Sequence, residues 1–90
     1  MTSLNELRQL IDQIDQEILK LFIKRIDLVK AIKHIKIEEK RPILDSNRES
    51  EILDKLKNIT QDDALFPYVR HLFMTIMAIS KEVQACSDTD

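Results

Sequence analysis

The sequence predicts an all-α fold: three helices per chain, one of them very long, assembled into an intertwined, two-fold symmetric helical dimer. Three observations carry that expectation. The 90 residues contain no glycine and only two prolines, Pro42 and Pro67, where average usage of roughly 7% would supply about six glycines. No breaker interrupts the chain from Leu4 to about Glu39. Along that stretch Leu and Ile recur at the 3-4 spacing of an amphipathic helix.

The first helix is expected over about residues 4–39. Over five heptads, nine of ten a and d positions are Leu or Ile, from Leu4, Leu7, Ile11, Ile14, Ile18 and Leu21 to Leu28, Ile32 and Ile35. The tenth is Arg25. Ser3 followed by Glu6 has capping-box spacing. A second helix is expected over 46–58, with Ser46 and Glu49 at the same spacing and a short apolar face of Ile52, Leu53 and Leu56. Asn58 to Asp63 reads as a polar connection. A third helix is expected over 65–85, with Pro67 in its first turn and Leu72, Phe73, Ile76, Met77, Ile79 and Val83 on its apolar side. Residues 1–90 read as a single domain, ending in a frayed tail from Ser87 to Asp90.

Helix length implies assembly. About 36 helical residues span about 54 Å, against a diameter of roughly 30 Å for a compact domain of this size. Two shorter helices cannot cover such a seam from end to end. A second chain is therefore expected to cover the remaining row of Ile and Leu.

Composition excludes several functions. The formal net charge is −2, unlike the strongly basic footprint of a nucleic-acid or anionic-membrane binder. Without glycine there is neither a Walker loop nor a dinucleotide fingerprint. One cysteine, Cys86, allows no internal disulfide, and His34 and His71 have no metal-ligand spacing; these three residues receive no functional role. No stretch of 18 apolar residues occurs, and the N-terminus does not read as a secretory signal. The expectation is a cytoplasmic protein without metal or cofactor, and without membrane or nucleic-acid partners.

The informative residues are polar ones in apolar stripes. Arg25 interrupts the Leu/Ile seam, and a buried unpaired guanidinium is costly. It must meet an anion from a ligand or a side chain, or else act as a register-fixing polar residue. Lys36 lies eleven residues on, about 20° round the helix and about 16 Å away, although a lysine near a helix end is usually solvated. Arg8 lies about 25 Å before Arg25 and about 100° round. It can reach such a pocket only from an antiparallel partner. Ser80 and Gln84, one turn apart, continue the stripe of Phe73, Ile76 and Met77, as a site or as a hydrogen-bonded core pair. Glu49, beside Arg48, precedes the inward face of the second helix, as a site residue or merely a cap. With Asp45, the set is cationic and hydrogen-bonding, and no nucleophile–base pair accompanies it. It suits a small dianion carrying a hydroxyl.

These residues resemble those of the all-α chorismate mutases, intertwined helical dimers that convert chorismate to prephenate. The resemblance covers nearly the whole chain. It is most specific in Lys36, Arg41, Pro42, Asp45, Arg48 and Glu49, preceded by Leu7, Arg8, Lys24 and Arg25 and followed by Ser80 and Gln84. It implies that Arg25 and the partner subunit's Arg8 clamp substrate carboxylates, with Ser80 helping to hold one. Arg48 binds ligand and orders the pocket, Glu49 accepts from the ring hydroxyl, and Asp45 supports that region. Lys36 and Gln84 donate to the ether oxygen. Isochorismate pyruvate lyases are similar to these mutases and use a similar pocket. A non-catalytic mutase-like regulatory or dimerisation domain and a dimeric helical adaptor with no ligand are the remaining alternatives.

Overall fold

The computed structural model describes residues 2–40 and 46–85. Three α-helices follow in chain order: α1 (Leu4–Glu38), α2 (Ser46–Thr60) and α3 (Phe66–Ala85). The fold is all-α, and no strand occurs among the described residues. The chain measures 57 × 34 × 14 Å with a radius of gyration of 16.7 Å, against about 12 Å for a compact chain of this length. The long dimension is that of α1, whose 35 residues extend about 52 Å.

Local features account for both ends of α1, the exit of α2 and the start of α3. Ser3 caps α1, its hydroxyl accepting from the Glu6 N–H at 3.1 Å, the bond expected from the Ser3–Glu6 spacing and worth about 1 kcal/mol. The chain offers no glycine for a left-handed helix exit. Lys40 (φ 56°) follows α1 and Gln61 (φ 53°) follows α2 in that conformation instead. The second helix therefore runs to Thr60, whose hydroxyl donates to the Leu56 carbonyl at 2.6 Å, two residues beyond its expected end. The polar connection is correspondingly shorter. Asp62 turns the chain into α3: its side chain accepts from the Ala64 and Leu65 N–H groups at 3.0 and 3.2 Å. Its carbonyl accepts from Phe66 N–H at 3.0 Å. Pro67, the second residue of α3, sits where a missing N–H costs nothing.

Helix α3 is the centre of the packing: α1 and α2 both lie against it and, among the described residues, not against each other. The covered positions of α1 are Phe22, Arg25, Ile26, Val29, Lys33 and Lys36, a helical stripe confined to its second half that flanks the heptad row and takes in one member of it, Arg25. On α2 they are Glu49, Ile52, Leu53, Leu56 and Thr60. Val29 and Met77 are the only buried apolar side chains among the described residues. Leu72, expected on the apolar side of α3, is 53% exposed; about 100° from Phe73 around the helix, it lies at the margin of the packed stripe.

Among the described residues, nothing removes the first half of α1 from solvent. Every residue from Leu4 to Leu21 is exposed, including Leu7, Leu10, Ile11, Ile14 and Ile18 at about half their full area. A contiguous apolar row of that length is far larger than a monomeric soluble protein ordinarily leaves uncovered.

Candidate active site

Helices α1, α2 and α3 together enclose one side of a cavity of about 430 Å³ lined by polar residues from all three. From α1 come Arg25 and Lys36, from α2 Arg48 and Glu49, and from α3 Ser80, Lys81 and Gln84. Leu28, Val29, Ile32, Ile52 and Met77 form its apolar walls. The site exists because α3 lies between the other two helices, so that one turn of it faces both.

On that turn, Ser80 and Gln84 are buried at 8% and 9% exposure. The Ser80 hydroxyl donates to the Ile76 carbonyl at 2.8 Å. With its proton so placed, its lone pairs face α1, where Arg25 Nη1 donates to it. Arg25 thus finds a neutral hydroxyl, and among the described residues no carboxylate lies within ion-pair range of it. Partial burial, and secondarily the positive charge of Arg48, hold the Arg25 guanidinium below its ordinary pKa. Both causes disfavour the cation, and an anionic ligand would relieve the second directly. Three turns on, Lys36 Nζ donates to Gln84 Oε1 at 3.3 Å, which directs the NH₂ donors of the amide to other acceptors.

On α2, Arg48 pairs with Glu51 at 3.4 Å on the solvent side. Glu49, whose spacing from Ser46 allowed a capping role, reaches across to α3 instead: its Oε1 meets Lys81 Nζ at 2.5 Å. Among the described residues, the lining therefore carries four cations and one carboxylate, in a chain whose net charge is −2. Local charge is opposite in sign to the global charge, which is the arrangement that attracts and holds a small anion.

Six of the residues singled out in the sequence thus lie around one cavity: Arg25, Lys36, Arg48, Glu49, Ser80 and Gln84. Arg8 does not join them. It is exposed in the first half of α1, about 25 Å along the helix from Arg25. Asp45, Arg41 and Pro42 lie outside the described residues. Lys81 was not anticipated, and neither was Lys33, which is only 6% exposed. A lysine in a charged helical stretch carries no sequence mark of burial; the sole available sign for Lys33 was its position one turn after Val29. Among the described residues, no group of His, Cys, Asp or Glu is arranged to hold a metal, and no helix is long and apolar enough to cross a membrane.

The chain is 33% identical to a bifunctional chorismate mutase/prephenate dehydratase of Aquifex aeolicus, over 93% of its own length and 25% of the relative's. It is 38% identical to the enzyme of the same name from Buchnera aphidicola subsp. Schizaphis graminum, over 86% of this chain and 21% of the relative. The similarity to a chorismate mutase of Methanocaldococcus jannaschii is 39% identity over 66% of this chain and 60% of the relative. The chain spans about a quarter of the length of the bifunctional relatives. No solved structure matches it. The family described as chorismate mutase type II matches residues 7–85, and the chain belongs to that family.

Proposed function

We propose that the protein is a chorismate mutase, rearranging chorismate to prephenate within a homodimer and without metal or cofactor. The observation that carries this reading is the pairing of Lys36 with Gln84 beside Arg25 and Ser80 in one cationic pocket. Chorismate carries two carboxylates, a ring hydroxyl and an enol-ether oxygen. Its rearrangement breaks a C–O bond as a C–C bond forms, in one unimolecular step that transfers no proton. A pocket without a nucleophile–base pair therefore suffices, provided that it selects the compact conformer and answers the charge that grows on the ether oxygen.

In this mechanism a substrate carboxylate replaces Ser80 as the acceptor for Arg25, and the Ser80 hydroxyl rotates to donate to it. Arg48 adds to carboxylate binding. Glu49 accepts from the ring hydroxyl, and Asp45 supports that side. Clamping both ends removes conformational freedom that water leaves open. Lys36 and the Gln84 amide donate to the ether oxygen, where preorganised donors are worth on the order of 3 kcal/mol each.

The dimer completes the site. The exposed Leu and Ile row on the first half of α1 is the surface a second copy would bury, and an antiparallel partner brings its Arg8 to the far side of the pocket. Such an assembly is two-fold symmetric, with two equivalent sites.

The test is to incubate the purified protein with chorismate and, separately, with isochorismate, and to identify the products by chromatography. Prephenate from chorismate is expected. Salicylate and pyruvate from isochorismate, with little prephenate, would keep the pocket and change the reaction to that of a lyase. No turnover of either by a folded protein would leave a regulatory or dimerisation domain and overturn the enzymatic reading.

A further inference from the structure

The ion pair between Lys81 and Glu49 crosses from α3 to α2, and both of its members line the cavity. With side chains 43% and 25% exposed, the pair adds little to stability, because solvent screens it and two long side chains lose freedom in forming it. Its placement matters more. Among the described residues, Glu49 is the one carboxylate beside four cations in the lining. An unanchored carboxylate there would settle on whichever cation it reached, Arg25 and Lys36 included, and neutralise charge that a dianion needs. It would also repel that dianion directly.

We propose that Lys81 is a positioning residue that holds the Glu49 carboxylate as an oriented acceptor for the hydroxyl of the dianionic ligand. The role rests on the mutase reading and adds a residue to it. Lys81 engages Oε1. An ionised carboxylate has about four lone-pair sites on its two oxygens, so Oε2 retains the capacity to accept from a ring hydroxyl. The ammonium offsets the repulsion between Glu49 and the substrate carboxylates as they enter. The hydroxyl contact is the same before and during the rearrangement, so the effect belongs to binding rather than to the chemical step.

Kinetics on chorismate separate the possibilities, with far-UV circular dichroism as the check that each variant folds. Lys81→Met is expected to raise KM about fivefold to tenfold and leave kcat within about twofold. Lys81→Arg, which keeps the charge, is expected to return KM to within about twofold of the parent. In a Glu49→Gln background, Lys81→Met should change KM by less than about twofold, because its partner is already neutral. An unchanged KM in the first variant overturns the proposal. So does an equal rise in both backgrounds, which would mean that Lys81 meets the ligand directly. If the parent protein leaves chorismate unchanged, the mutase reading falls and this role with it; if the parent turns it over, only Lys81 is at stake.

Discussion

Lys36 Nζ on α1 donates to Gln84 Oε1 on α3 at 3.3 Å, joining the two side chains proposed to meet the ether oxygen. The bond does two things. It fixes the orientation of the amide, and it aims an ammonium into the pocket from a helix end where a lysine would otherwise extend into water. Lys36→Ala removes the charged donor and the restraint on Gln84 together. Turnover is expected to fall at least about a hundredfold, with the circular dichroism unchanged. A loss under about threefold would remove Lys36 from the mechanism.

The pH profile should be flat across mildly acid to neutral conditions. Gln84 is a neutral amide and needs no protonation to donate. Arg25 is the pocket group held below its ordinary pKa, by burial first and Arg48 second. For a base, that shift penalises the charged folded state at low pH, and the penalty lifts as pH rises through the folded value. An arginine begins so far above neutrality that this window lies in strong alkali. A steady-state series between mildly acid and neutral pH should therefore show less than a tenfold change in kcat/KM; a tenfold fall towards neutrality would point to a required acid.

The proposed contribution of Arg8 from a partner subunit makes a quantitative prediction about mixtures. Arg8→Ala and Arg25→Ala are each expected to be nearly inactive as homodimers. Unfolded together and refolded, they should form heterodimers in which one of the two sites holds both arginines. With random pairing, about a quarter of the parent activity returns. Mixtures no more active than their components would exclude a site with Arg8 from the partner.

The polar stripe residues are expected to serve the ligand at the expense of stability. Replacing Arg25 and Gln84 together, as Arg25→Leu with Gln84→Leu, should abolish turnover while the dimer survives in sedimentation. Stability to denaturant should be unchanged or rise by about 1 kcal/mol, the low end of what apolar replacement of buried polar groups gives. Marked unfolding would instead make the pair part of the scaffold.

Backbone strain supplies an independent test far from the pocket. Gln61 holds φ 53° at the exit of α2, where a side chain costs about 1–2 kcal/mol relative to glycine. Part of that returns as greater freedom of glycine in the unfolded chain. Gln61→Gly should therefore stabilise the protein by about 0.5–1 kcal/mol in urea unfolding, with no change in KM.

Much of the architecture is written in local patterns. The long Leu/Ile repeat, the Ser3 cap and Pro67 at a helix start each depend on neighbours a few residues away, and all three helices form where those patterns lie. The polar residues Arg25, Ser80 and Gln84 were conspicuous because they interrupt apolar stripes, and burial of polar atoms demands partners. Helix exits were harder to read, since Lys40 and Gln61 take a backbone conformation that their side chains give no sign of favouring.

Tertiary structure alone decided which face of α1 is covered in the single chain. Two stripes run along that helix, the heptad row and the flanking row through Phe22, Ile26, Val29 and Lys33, and α3 packs on the second. That choice buries Lys33, leaves the Leu and Ile of the heptad row exposed, and sets Arg25, the one polar member of that row, against Ser80. It also brings Lys81 to Glu49 across two helices. Periodicity specifies which residues share a helix face, because that follows from backbone geometry. Which faces meet depends on the summed packing of all three helices, a long-range quantity that no local spacing contains.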